Sequence, residues 1–310
     1  MSAVKLLPAV KRTVWGGNKI EKWNKPTCEG SIGETWELSF LSSGPSIIAS
    51  GENAGKALMD TLLRAEWGKK SENYENFPLL VKFIDASTPL SVQVHPSDEY
   101  ATANGLIAGK TEAWYILDAD EGAGIYLGFK KRVTPEEVEK SALDGTITDL
   151  LNFIEVKKGE CYFVRSGTVH AIGAGVTVAE VQQSSDVTFR VYDYDRVGAD
   201  GKKRELHLKS ALEVLCYERY QKEEPKEEIG SLETDGKVKT LARNEYFTIY
   251  ECEKEGKYRS QESFLCVICV DGMGTIDGEA MKKGDTFFVP ANERITIEGK
   301  ARYLITGVGI

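Results

Sequence analysis

The sequence predicts a mainly β protein built from two copies of a jelly-roll or barrel architecture, the N-terminal one carrying helical insertions. Three observations predict it. Thirty glycines punctuate short β-branched or aromatic runs, with no regular strand–helix alternation that would signal a parallel sheet. One stretch occurs twice: Lys158-Gly159-Glu160-Cys161-Tyr162-Phe163-Val164 runs on through Gly167 to His170, and Lys283-Gly284-Asp285-Thr286-Phe287-Phe288-Val289 runs on through Asn292 to Ile295. Each copy is a glycine turn feeding a strand, then a second turn marked by Gly167 in one and Pro290 in the other, so one β-architecture is present in two copies. Finally, residues 218–236 turn polar and charged around Glu223-Glu224-Pro225-Lys226-Glu227-Glu228, as a solvated connection would. The expected division is a unit at 1–235 with helical insertions and a small strand-only unit at 236–310.

The strands of the first unit are expected at 35–40, 79–85, 90–94, 112–117, 124–129, 160–164, 176–182 and 187–192. Those of the second fall at 248–253, 264–270, 286–289 and 302–306. Each is a short run rich in β-branched and aromatic residues. Between the strands of the first unit, Thr134-Pro135-Glu136-Glu137 is a capping box with proline at the first helical position, and Asp144-Gly145 stops that helix. A second helix is expected over 56–67. A third spans 206–216, where Leu208, Leu212 and Leu215 recur at helical spacing.

Composition excludes several classes of function. The 310 residues carry a formal charge of −9, against the basic footprint that nucleic acid or an anionic membrane requires. No apolar run approaches the roughly 20 residues of a membrane span, and the start, Met1 to Pro8, lacks a signal-peptide core, so a cytoplasmic protein is expected. A small anionic substrate remains compatible with this charge. The chain is expected as a monomer or homodimer. The one CxxC pair, Cys266 and Cys269, lies in an apolar strand, where residues three apart face opposite ways; both read as buried thiols rather than metal ligands.

Only three histidines occur, so each carries weight. In Pro89-Leu90-Ser91-Val92-Gln93-Val94-His95-Pro96 the polar Ser91, Gln93 and His95 alternate with apolar residues and share one strand face. If the apolar face lies against helices, the polar one looks into the barrel. Taken alone, a histidine at a strand end is more often hydrogen-bonded structure than ligand. Glu112 opens the next strand, where a carboxylate beside an apolar run needs a partner. His170 ends the first copy of the repeat, whereas the second ends in Ile295. Gln93, His95, Glu112 and His170 together would make an N/O site for one divalent ion. Two histidines and one carboxylate favour zinc, with iron, manganese and nickel left open.

These residues resemble the cupin superfamily and, within it, the type I mannose-6-phosphate isomerases in their short bacterial form. The resemblance rests on 89–96, on Lys110-Thr111-Glu112-Ala113-Trp114-Tyr115, on Gly167-Thr168-Val169-His170-Ala171-Ile172, and on Gln182-Gln183-Ser184-Ser185-Asp186. It continues through Arg190-Val191-Tyr192-Asp193-Tyr194-Asp195-Arg196, with Trp15-Gly16-Gly17 and Gly33-Glu34-Thr35-Trp36-Glu37 near the start. It implies two cupin-type barrels, zinc on Gln93, His95, Glu112 and His170, Arg190 as catalytic arginine, and Ser91 and Lys110 lining a sugar-phosphate pocket. One departure is Arg165, where the family pattern usually has proline; it reads either as an exposed turn residue or as an added cation at the pocket mouth.

The implied reaction moves a carbonyl between C1 and C2 of mannose 6-phosphate and fructose 6-phosphate through an enediolate. Charge develops on O1 and O2, where a metal ion and an arginine stabilise it. Arg190 alone would read as an ion-pair partner of Asp193 or Asp195; the resemblance reverses that. It is expected to steady the oxyanion while Lys110 contacts sugar or phosphate. Arg190 is also expected to share a face with Tyr192. The general base is open among a metal-bound water, Glu34, Lys110 and a released histidine. His207 reads as structural or exposed, and Trp15 and Trp36 as packing or pocket wall. Competing readings are another metal-dependent barrel enzyme, an oxygenase or epimerase, and a non-enzymatic sugar-binding barrel.

Overall fold

The computed structural model describes residues 3–23, 30–198, 201–223 and 230–309. The centre of the polar connection, 224–229, and residues 1–2 lie outside the described residues. The expected strands form, several of them longer than the pattern predicts. Strand Leu265–Ile276 outruns the apolar stretch at 264–270, and Arg294–Gly307 begins eight positions before 302.

Strand alternation builds two layers into the first barrel. In strand Glu112–Ala119, Trp114 and Ile116 face inward, while Ala113, Tyr115 and Leu117 face the opposite way. This strand lies in a six-stranded sheet between Cys161–Val164 and Val176–Gln183, with Leu79–Ala86, Ala9–Gly17 and Ile32–Leu38 beyond. A five-stranded sheet closes the barrel: in order, Phe189–Tyr192, Val92–Val94, His170–Ile172, Gly124–Phe129 and Leu151–Glu155. Ile84 and Trp114 of one sheet and Leu127 and Ile172 of the other share one buried cluster between them.

The outer face of the five-stranded sheet takes the helices. Val92, Val94, Ala171 and Val191 pack there against Val138 and Ala142 of helix Pro135–Leu143 and Ala211 of helix Leu208–Val214. The first helix starts at its expected capping box: the Thr134 hydroxyl accepts the Glu137 N–H at 3.2 Å, and the Glu137 carboxylate accepts the Thr134 N–H at 2.8 Å. The helix expected over 56–67 does not form. Two 3₁₀ turns, Leu58–Asp60 and Arg64–Trp67, stand there instead. Leu58, Leu62 and Trp67 are drawn separately into the core between the barrels, and Leu63 is left 71% exposed, so no continuous helical stripe exists to bury.

The outer face of the six-stranded sheet meets the second barrel. Val81, Phe83, Tyr115 and Val181 pack against Phe264, Cys266, Ile268 and Phe288. The second barrel turns Leu265, Val267 and Cys269 inward onto its own core. The two CxxC thiols therefore face opposite ways, as alternation predicts, and burial pushes the Cys269 thiol up to about 12. Among the described residues sheet membership crosses the 235/236 division at two points: Val4–Leu7 pairs with Thr286–Val289, and Leu232–Thr234 pairs with Gly256–Ser260. The glycines near the start mark a close crossing. A Cβ on Gly16 would lie 2.6 Å from the Gly33 nitrogen, so neither the Trp15-Gly16-Gly17 nor the Gly33-Glu34 segment has room for a side chain there.

Candidate metal centre and substrate pocket

Three of the four expected ligands converge across the barrel. Glu112 comes from the six-stranded sheet, His170 from the five-stranded one, and His95 from the turn after Val92–Val94. Glu112 Oε2 lies 3.4 Å from His95 Nε2, and Oε1 lies 3.5 Å from His170 Nε2. One ligand atom from each residue falls within 4.8 Å of the others, and all three side chains are buried. Gln93 is the neighbour of His170 across the strand pair, with its amide 3.2 Å from His170 Nε2 and its oxygen held by the Ser91 hydroxyl at 3.3 Å. Its nitrogen thus faces the centre; turning the amide over would exchange the two atoms.

The donor chemistry fits a divalent ion. Each imidazole Nδ1 contacts a backbone carbonyl, His95 that of Val187 at 2.9 Å and His170 that of Thr168 at 2.8 Å, which leaves both Nε2 lone pairs for the centre. His95 Nε2 and Glu112 Oε1 are buried without a hydrogen bond among the described residues, the arrangement expected around a cation. Burial pushes the His95 imidazole down to about 3, and the Lys110 ammonium adds to that; burial likewise lowers His170. Both rings are therefore neutral, as ligation requires. Burial alone would raise the Glu112 carboxyl, but the Lys110 ammonium beside it outweighs that and holds it well below the usual carboxylate range.

Beside the centre lies a cavity of about 90 Å³ lined by Glu34, Lys82, Lys110, Glu180 and Arg190, with Ser91, Trp15 and Trp114 in its wall. Its charges interlock. Lys110 lies 2.9 Å from Glu112 and 3.9 Å from Glu180; Lys82 lies 3.3 Å from Glu180 and 3.6 Å from Glu34. Trp114 and Trp36 donate their indole N–H groups to Glu180 and Glu34 at 2.9 and 2.8 Å. Burial opposes ionisation of both Lys82 and Glu34, yet their mutual attraction prevails, raising the ammonium and lowering the carboxyl.

The expected residues Ser91, Gln93, Lys110, Glu34 and Arg190 all line this cavity. Arg190 does not pair with Asp193 or Asp195. Asp193 is held by Arg204 at 2.5 Å and Asp195 by Lys203 at 2.6 Å, and Arg190 Nε is buried without a partner. Tyr192 leaves the Arg190 face: a bulge between the two residues turns Tyr192 outward with Val191 into the helix-covered core. Trp15 is both buried and part of the wall. Arg165 sits away from this cavity, 60% exposed and 2.9 Å from Glu223. Sequence reasoning missed Lys82, Glu180 and Arg204 as lining residues. The available signal was a charge inside an apolar run, Leu79 to Ile84 for Lys82 and 176–183 for Glu180.

Comparison with known proteins follows the same lines. Two family models match: one for the type I phosphomannose isomerase catalytic domain over residues 3–123, and one for the mannose-6-phosphate isomerase cupin domain over residues 237–307. The curated mannose-6-phosphate isomerase ManA of Bacillus subtilis (strain 168) is 36% identical over 96% of this chain and 96% of its own. The mannose-6-phosphate isomerase of Streptococcus mutans is 36% identical, covering 90% of this chain and 89% of its own. The crystal structure of the mannose 6-phosphate isomerase from Bacillus subtilis matches with a TM-score of 0.88 at 34% identity, over 99% of both chains. A putative mannosephosphate isomerase from Archaeoglobus fulgidus shares the fold at 23% identity and a TM-score of 0.79, over 100% of this chain and 98% of that one.

Proposed function

Since the chain belongs to the type I mannose-6-phosphate isomerase family, we propose that it interconverts mannose 6-phosphate and fructose 6-phosphate through an enediolate in the cavity of its first barrel. The observation that carries the reading is the buried His95, Glu112 and His170 set, whose ligand atoms converge with His95 Nε2 and Glu112 Oε1 lacking a hydrogen bond among the described residues, beside a cavity lined by Lys110 and Arg190. Gln93, His95, Glu112 and His170 would hold one zinc ion per chain, which supplies a Lewis acid for the sugar oxygens.

The remaining chemistry belongs to the side chains. Arg190, cross-strand from Gln93 and with its Nε unbonded among the described residues, is the cation that steadies charge on the oxygen next to the reacting carbon. Lys110, two residues before Glu112, contacts the sugar or its phosphate from the opposite sheet. Ser91 and Glu34 complete the substrate wall. Lys82 and Trp36 keep Glu34 ionised, so it is able to accept a proton or a sugar hydroxyl. The indole walls of Trp15 and Trp114 exclude water around these charges, which strengthens each interaction.

In this reading residues 1–235 are the catalytic unit, and 236–310 are a scaffold that covers the apolar outer face of the six-stranded sheet. A cytoplasmic location goes with it. The test is turnover of mannose 6-phosphate, coupled to fructose 6-phosphate detection, in metal-replete protein with and without a chelator. Activity that disappears with the chelator and returns with zinc is expected. Chelator-indifferent activity, or none in a metal-replete sample, sinks the reading.

A further inference from the structure

The geometry points to His207 as the positioning residue for Arg190. Phe189–Tyr192 is the outermost strand of the five-stranded sheet, with Val92–Val94 on one side and, among the described residues, no strand on the other. The open side would leave the Arg190 backbone to water. His207 takes both of its groups instead: the Arg190 N–H donates to His207 Nδ1 at 3.2 Å, and the His207 N–H donates to the Arg190 carbonyl at 2.8 Å. One residue thus stands in for a whole neighbouring strand at this point.

The chain is folded to deliver it there. Arg204 grips Asp193 through two bonds, Nε to Oδ2 at 2.7 Å and Nη2 to Oδ1 at 2.5 Å, and Lys203 holds Asp195 at 2.6 Å. The excursion that leaves the strand after Tyr192 therefore returns on itself just before His207. Helix Leu208–Val214 begins at the next residue, and its Ala211 N–H donates to the His207 carbonyl at 2.9 Å. His207 is wedged between the sheet edge and a helix whose Ala211 is buried.

Arg190 needs such a partner. Asp193 and Asp195, which follow it closely in the chain, are held by Arg204 and Lys203, and its Nε has no hydrogen-bond partner among the described residues. With no ion pair among the described residues to aim the guanidinium, its direction follows from where the backbone holds the Cα. Nδ1 can accept only while the imidazole is neutral with its proton on Nε2. Burial and the neighbouring Arg190 cation both favour the neutral ring.

The inference rests on the role proposed for Arg190, and the experiment separates the two. His207→Leu keeps the bulk and removes the acceptor; His207→Asn places an amide oxygen near the position of Nδ1. His207→Leu is expected to lower kcat on mannose 6-phosphate about 10-fold with KM within about 2-fold, since a small misplacement of a catalytic group costs that much. His207→Asn is expected to recover to within about 3-fold of wild type. In an Arg190→Ala background, His207→Leu is expected to add less than about 2-fold, because positioning has nothing left to position. Losses that multiply instead, a wild-type kcat in His207→Leu, or a His207→Leu melting point that falls along with its turnover, overturn the proposal. Wild-type turnover in Arg190→Ala overturns the arginine's role itself, and inactive metal-replete wild type overturns the isomerase reading.

Discussion

Gly167 and Asn292 hold the same left-handed backbone conformation, at φ 83° and 72°, in equivalent turns of the two repeat copies. The opening glycines agree as closely, Gly159 and Gly284 both at φ 92°. Each turn then leads into a strand residue three positions on, His170 in the first barrel and Ile295 in the second. The backbone device is kept in both copies. What differs is what it presents: His170 reaches a carboxylate, while Ile295 is sealed in a cluster with Tyr258, Leu265 and Val267.

Restoring the histidine should therefore not restore a site. Ile295→His is expected to leave metal content at one ion per chain by elemental analysis. It places an unpaired polar ring in a packed core and should cost about 2–4 kcal/mol in urea unfolding. A second bound metal would contradict the scaffold assignment.

Glu112→Gln removes the carboxylate charge that lies against both histidines. Metal affinity, read by competition with a chromophoric chelator, is expected to fall at least about 100-fold, and turnover with it. Near-native affinity in this variant would mean that the ion is held elsewhere.

Lys82 is buried between Glu34 and Glu180. Lys82→Met leaves two carboxylates facing each other without their cation, an arrangement that typically costs about 3–5 kcal/mol. Chemical unfolding at neutral pH measures it. A loss below about 1 kcal/mol would mean that Lys110 alone balances the cluster.

Glu34 gives stability a defined pH dependence. Its folded carboxyl is held below the ordinary value of 4.5, so its contribution is complete above that value and lost as pH falls through the lower folded one. Glu34→Gln should consequently be less stable than wild type at pH 7, and the gap should narrow in acid. Urea midpoints at both ends of that range decide it; a constant gap would trace the loss to packing instead.

Much of the site was legible because local patterns carry it. Alternation along 90–94 put Ser91 and Gln93 on the barrel side together with His95, and the capping box at Thr134 placed a helix to within a residue. The pattern failed where tertiary contacts overrode it. The bulge after Arg190 moved Tyr192 to the other face, and separate anchoring of Leu58, Leu62 and Trp67 replaced the helix expected over 56–67. Lys82 and Glu180 went unread because each looks like an isolated charge in an apolar strand. Their significance appears only when those strands pair, with Lys82 directly opposite Glu180.

The sequence by itself determined the strand alternation, the two glycine turns and the single histidine-bearing copy, all of which depend on residues a few positions apart. The tertiary structure alone decided the charge balance around the cavity, the freedom of Arg190 from Asp193 and its support by His207. Electrostatic and hydrogen-bond energies depend on distance in space, and these partners meet only after strands and turns far apart in the chain have packed into one barrel.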